Sequence, residues 1–343
     1  MRAVAAACLL ALAAGVAPPH SWRTLATGAQ ASLRGLSVAS TRVAWASGTG
    51  GVWLRTEDGG AHWRVGRVPG AERLDFRGIV AWNARLAYLM SSGSGPLSTI
   101  YKTEDGGAHW RRQWQASAPA AFLDAIAFWD ARHGLALSDP VAGRFLVLAT
   151  ADGGRHWRPE PPAGMPPALP GEGVFAASNS SLALGAGGEA WFVTGGAAQA
   201  RIFHSHDGGH HWTAHPAPLA SGGSRGIFSL ALCGGGLGVM VGGDYRHPGE
   251  GAGNAAYTRN GGRTWRAAAA GPPDGFMSAV ACVPGAGGKQ LIALGPDGTD
   301  LSRDGGRTWR HLSSKGANAL AFAPGQAFAY SAGGRGALAT LRW

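Results

Sequence analysis

One eight-residue pattern recurs six times along the chain, and that repetition restricts the fold more than any other property of the sequence. The copies run Thr56–Trp63, Thr103–Trp110, Thr150–Trp157, Ser205–Trp212, Thr258–Trp265 and Ser302–Trp309. Each has Ser or Thr first, Asp or Asn third, Gly-Gly next and Trp last. The third positions are Asp58, Asp105, Asp152, Asp207, Asn260 and Asp304, at intervals of 47, 47, 55, 53 and 44 residues. A period of that length marks a repeat architecture, with blade-sized β units as the leading case. Asp-Gly-Gly supplies the acceptor and the permissive φ of a tight hairpin turn. The Trp that follows buries a large ring between neighbouring units. The six acidic or amide side chains are therefore assigned to turn structure, not to catalysis.

The rest of the composition agrees with an all-β chain. With 57 Gly in 343 residues and only 15% charged, long helices are excluded and short strands joined by Gly-rich turns are expected. The net charge of +10 comes almost wholly from Arg, because Lys occurs only at Lys102, Lys289 and Lys315. Arg64, Arg111, Arg158, Arg266 and Arg310 each follow a motif Trp, on what should be exposed outer strands. No basic run or nucleic-acid module occurs, so the charge is not assigned to nucleic acid.

Residues 1–17 read as a secretory signal peptide: a basic start, an apolar run from Ala3 to Val16, then a small-residue end at Ala17. The run is too short to span a membrane. This places residues 18–343, as one domain, in the periplasm or outside the cell. Export permits a disulfide between Cys233 and Cys282. Their apolar settings, Leu230-Ala-Leu-Cys233 and Ala279-Val-Ala-Cys282, read instead as two buried free thiols.

Upstream of each motif the same grammar returns: an apolar strand, a turn, a second apolar strand, a loop and a third strand. A seventh copy, from Asn318 to Leu341, has three strands and no motif. The N-terminal segment Ser21–Leu25 matches the Trp-Arg strand that follows each motif, so it is expected to complete the last blade. The expectation is a seven-bladed propeller of four-stranded antiparallel blades, closed by its N-terminal strand. The Pro-rich stretch from Pro159 to Gly171 reads as a long connection between blades three and four.

With strands lettered a to d from the axis outward, the motifs are c–d turns. The b–c loops and d–a connections emerge on the opposite face, which carries the irregular loops where binding residues usually sit. Arg34-Gly, Arg77-Gly and Arg225-Gly open inner strands on that face. Asp124, Glu172, Met277 and Asn318 read as rough equivalents in other blades. Arg34, Arg77, Arg225, Asp139, Asp244 and Tyr245 are expected to converge at the channel mouth. An anionic group there would offset the clustered Arg, and structural ion pairs with Asp or Glu are the alternative. Arg144 and Arg201, on the b–c loops of blades three and four, complete the binding set. His204, His206, His210, His211 and His215 crowd one hairpin; they read as exposed hairpin histidines, and no metal or other cofactor is expected.

The six octapeptides resemble the Asp-box, or BNR, repeat. Ser138–Phe145, Thr194–Ala197, Gly226–Ser229, Val241–Tyr245 and Gly295–Asp300 further resemble a bacterial group related to the photosystem II assembly factor Ycf48 (Hcf136). That resemblance covers essentially the whole mature chain. It implies a seven-bladed, non-enzymatic assembly factor whose Arg-rich patch meets a partner protein, with Arg34, Arg77 and Arg225 as the place for a counterpart. Sialidases also carry Asp-boxes, but their Arg-Ile-Pro segment is missing here. A glycoside hydrolase of the sialidase or xyloglucanase kind, using Asp139 and Asp244 as its two carboxylates, is the alternative. The expected partner is a protein or an anionic ligand on the b–c face, met by a monomer without a transmembrane span.

Overall fold

The computed structural model describes residues 20–251, 253–269, 271, 273 and 275–343. The expected signal peptide lies outside the described residues. Seven four-stranded antiparallel sheets form seven blades. The inner strands, in chain order, are Leu33–Val38, Asp75–Ala81, Leu123–Phe128, Leu182–Leu184, Arg225–Gly234, Ala279–Cys282 and Ala319–Phe322. Each packs beside the inner strands of the blades before and after it, and the seventh meets the first, so the blades close a ring. Arg23–Leu25 pairs antiparallel with Leu338–Arg342 and supplies the outer strand of the seventh blade, as expected. Trp22 Nε1 donates to Thr299 Oγ1 of blade six at 3.1 Å, fastening the same segment to its neighbour.

The burial of each strand follows from its place in the ring. A second strand such as Ala87–Ser92 is covered by blades on both sides and is buried throughout. An outer strand such as Arg64–Arg67 keeps its Arg side chains in water. The blades contact one another through apolar clusters; one joins Trp45 and Trp53 of blade one to Leu74, Phe76, Ile79 and Leu89 of blade two.

The six motif turns are built alike. The Ser/Thr hydroxyl donates to the Asp or Asn Oδ1 at 2.9–3.0 Å and accepts the second Gly N–H at 2.9–3.1 Å. The same Oδ1 accepts the N–H of the residue before the Trp. The second Gly lies on the core of the preceding blade. At Gly107 a Cβ would stand 2.6 Å from the Trp53 ring, and at Gly154 it would stand 2.9 Å from Tyr88. Both glycines have positive φ, so the position needs Gly for space and for conformation.

Two expectations fail. Cys233 and Cys282 are not free thiols; they form a disulfide, with Cα atoms 5.6 Å apart. Both end a run on the inner strands of adjacent blades, and their separation of 49 residues is one blade period. Like positions in neighbouring blades face each other across the interface. The second failure is in blade four, whose inner strand begins at Leu182 and not near Glu172. The preceding segment, 173–181, crosses the channel instead. Asn179 bonds both the N–H and the C=O of Ile126 in blade three, and Ser178 Oγ donates to Ser278 O in blade six. Ser180 Oγ meets Ser229 Oγ of blade five at 2.7 Å, and Arg77 of blade two donates to Ala176 O at 3.3 Å. Contacts with blades two, three, five and six put this segment on the axis, where it floors the mouth.

Candidate functional site at the channel mouth

The sequence-based set opens on the face of the b–c loops and d–a connections, opposite the motif turns, as the strand order requires. What aims its side chains is a bulge near the start of several inner strands. Pairing with the second strand skips Arg34 in blade one, Arg77 in blade two, Asp124 in blade three and Phe228 in blade five. A bulge turns one side chain out of the alternation and re-aims it. Phe228, not Arg225, is therefore the blade-five counterpart of Arg34 and Arg77. Arg225 sits three residues earlier, opposite Asp244. The repeated Arg-Gly dipeptide hid this offset.

One half of the mouth is charged. Arg77 Nε bonds Asp75 Oδ2 at 2.7 Å. Arg34 makes no hydrogen bond or contact ion pair among the described residues. Burial lowers its affinity for the proton, and the neighbouring Arg77 lowers it further, with Asp75 opposing. Asp124 is fully buried, and neither carboxylate oxygen meets a hydrogen-bond donor among the described residues. Burial pushes its pKa well above the usual carboxylate range, and the Asp139 carboxylate adds to that. Asp139 is pushed up to about 6 by burial, although its Oδ1 accepts the Val174 N–H at 2.8 Å.

The other half is aromatic. Phe175, from the segment on the axis, stacks on Phe228 at 4.0 Å with 6° between the rings. Tyr245, 47% exposed, stands 6.0 and 6.2 Å from these two rings. Beside them Asp244 accepts Ser224 Oγ at 2.5 Å and the Arg246 N–H at 2.9 Å. The Ser224 bond is the main cause holding its pKa well below the usual range. Arg225 pairs with Glu250. The halves meet at the axis segment, where Phe175 precedes the Ala176 carbonyl that Arg77 binds.

Of the expected residues, then, Arg34, Arg77 and Asp139 share one cluster, while Arg225, Asp244 and Tyr245 form a second. Asp139 and Asp244 have separate partners, and no hydrogen bond joins them. Arg144 donates to Met165 O, and Arg201 pairs with Glu172 and donates to Pro167 O. Both Arg clamp the connection between blades three and four. Asp75, Phe175 and Phe228 were not legible as site residues. Asp124 carried a signal, since an acid stands where two other blades have Arg.

A groove of about 1030 Å³ lies between blades three and four on the turn face. Its acids are already tied to histidines: Asp130 to His133, Asp152 to His156 and Glu160 to His210. Volume alone does not make it the working site. No helix among the described residues is long and apolar enough to cross a membrane.

The architecture is that of a seven-bladed β-propeller. No protein-family model matches the chain, and no curated protein matches its sequence. Solved structures do match. A structure described as YCF48 bound to D1 peptide has a TM-score of 0.67 at 15% identity, covering 94% of this chain and 97% of that one. YCF48 from Cyanidioschyzon merolae gives 0.65 at 17% identity, over 94% and 98%. BamB from Moraxella catarrhalis gives 0.53 at 12% identity, over 91% and 83%. At these identities the likeness is one of fold.

Proposed function

We propose that the chain is an exported, non-catalytic propeller of the Asp-box kind, binding or assisting assembly of a protein partner through its b–c loop face. The observation that carries this reading is Arg34: a partly buried guanidinium with no acid of its own, beside a second guanidinium. Such a position favours an anion from outside, and a carboxylate fits the planar fork of Arg in two hydrogen bonds. Across the mouth, Tyr245 and the partly exposed Phe175, backed by the buried Phe228, offer rings for the apolar side chains of the same segment. A solved structure of like fold, described as bound to a peptide, supports a protein segment as the occupant. The expected place of work is the periplasm or the exterior.

A peptide array presented with free C-terminal carboxylates, and again as amides, tests this. Binding should depend on the carboxylate and fall about tenfold or more in Arg34→Ala, with the melting temperature unchanged. Binding blind to both changes contradicts it. Glycoside turnover that vanishes in Asp139→Asn or Asp244→Asn would favour the hydrolase instead.

A further inference from the structure

Blade four carries two histidines on the opposite face, at the two positions flanking its motif Ser205, which vary from blade to blade. In blades one and two these positions carry complementary charges. Arg55 pairs with Glu57 at 2.5 Å, and Lys102 with Glu104 at 2.9 Å, each across the motif Thr. Blade four has His204 and His206 there, two bases in place of a base and an acid. The acid comes from elsewhere: Glu189, at the end of the Ala186–Gly188 turn between the first two strands. Its Oε2 meets His204 Nε2, and its Oε1 meets His206 Nδ1 at 2.6 Å. Four other histidines of the motif turns, His62, His109, His156 and His211, each bond the Asp of their own turn. His204 and His206 stand outside that structural pattern.

We propose that Glu189, His204 and His206 form a binding site for a divalent transition ion of the zinc class. Their donor atoms all lie within 4.8 Å of one another. A tetrahedral ion with bonds near 2.0–2.2 Å holds its donors about 3.4 Å apart, so side-chain rotation alone closes the set. Two imidazoles and one carboxylate suit zinc, copper or nickel, whereas magnesium and calcium require more oxygens. The site is pre-set from behind. The His204 ring stacks on Trp191 at 4.5 Å and 9°, and Trp129 Nε1 of blade three donates to Glu189 O at 3.2 Å. It is open in front, because the His206 side chain is 69% exposed. Three protein ligands and an open side leave the fourth position to water or to a group from another molecule.

Calorimetric titration of the untagged, signal-free protein with zinc chloride at neutral pH tests this. One equivalent should bind, with magnesium failing to compete. Glu189→Ala, His204→Ala and His206→Ala should each weaken binding by about tenfold or more. His211→Ala, in an ordinary motif turn, should leave it unchanged. His206 is exposed, so its variant keeps the fold, which the melting temperature without metal verifies. Cobalt should give a visible absorption band that disappears in the same three variants. No saturable binding at roughly millimolar zinc, or binding that survives His206→Ala and Glu189→Ala, overturns the site.

Discussion

The ring of motif turns and the channel mouth use the same residue type in opposite ways. In the turns, the His62 N–H and imidazole hold Asp58 well below the usual carboxylate range, and His109 and His156 do the same for Asp105 and Asp152. At the mouth, burial drives Asp124 and Asp139 upward. The turn surrounds its carboxylate with donors that the local sequence itself supplies. The charged half of the mouth withdraws Asp124 and Asp139 from water, and the donor to Asp139 comes from Val174 of the axis segment. Asp244, in the aromatic half, is served instead by Ser224 and Arg246 beside it. Repetition therefore marks groups whose bonds are complete, and departure from repetition marks groups that other blades or another molecule must complete. On the turn face, blade four places two histidines where blades one and two have an ion pair.

Several experiments would break or sharpen this contrast. Deleting residues 21–25 removes the strand that closes the ring and exposes the edge of Leu338–Arg342. The expected loss exceeds about 4 kcal/mol, visible as early or uncooperative melting. A deletion variant that melts with the wild type would show that closure does not depend on this strand.

A smaller effect with a defined pH dependence is expected at Asp139. Its folded pKa is raised, so the folded state holds a proton that the unfolded chain releases above about pH 4. Stability is lost as pH rises from about 4 through about 6 and then levels off. Asp139→Asn should stabilise the protein by roughly 2 kcal/mol at pH 8 and make little difference near pH 4. Denaturant melts at the two pH values decide it; a variant less stable at pH 8 would assign Asp139 a needed negative charge.

The smallest effect is expected at a motif turn, with the opposite sign. Asp105 is held below its usual pKa, so its contribution is present above about pH 4 and is lost as pH falls through the folded value. Asp105→Asn should weaken the protein slightly at neutral pH, with a difference that shrinks progressively as pH falls below about 4. Asn260 already keeps the same turn bonds in blade five. Equal pH responses in the Asp105 and Asp139 variants would erase the distinction between the two regions.

The sequence carried the ring well and the site only partly, for physical reasons. Each motif is local, so Asp58 or Asp304 could be placed without knowing any distant residue. The blade count followed from the matching Trp22-Arg strand. The mouth depends on contacts that span the molecule. Phe175 arrives there because a segment of blade four crosses the axis, and no local pattern in Gly173–Ser181 announces that path. Phe228 arrives because the bulge in blade five falls three residues after Arg225 and not at the Arg225-Gly dipeptide. The disulfide was within reach, since Cys233 and Cys282 lie one blade period apart on matching strands. Apolar neighbours argued for burial but were silent on pairing.

The central claim is that a protein partner meets the loop face at the channel mouth. Site-specific photo-crosslinking in the cell that makes the protein tests it most directly, with a photoreactive side chain at Tyr245 or, on the turn face, at His62. The account predicts a discrete adduct from Tyr245 that is lost when Arg34→Ala is added, and none from His62. Adducts from His62 alone, or a Tyr245 adduct indifferent to Arg34, would contradict it.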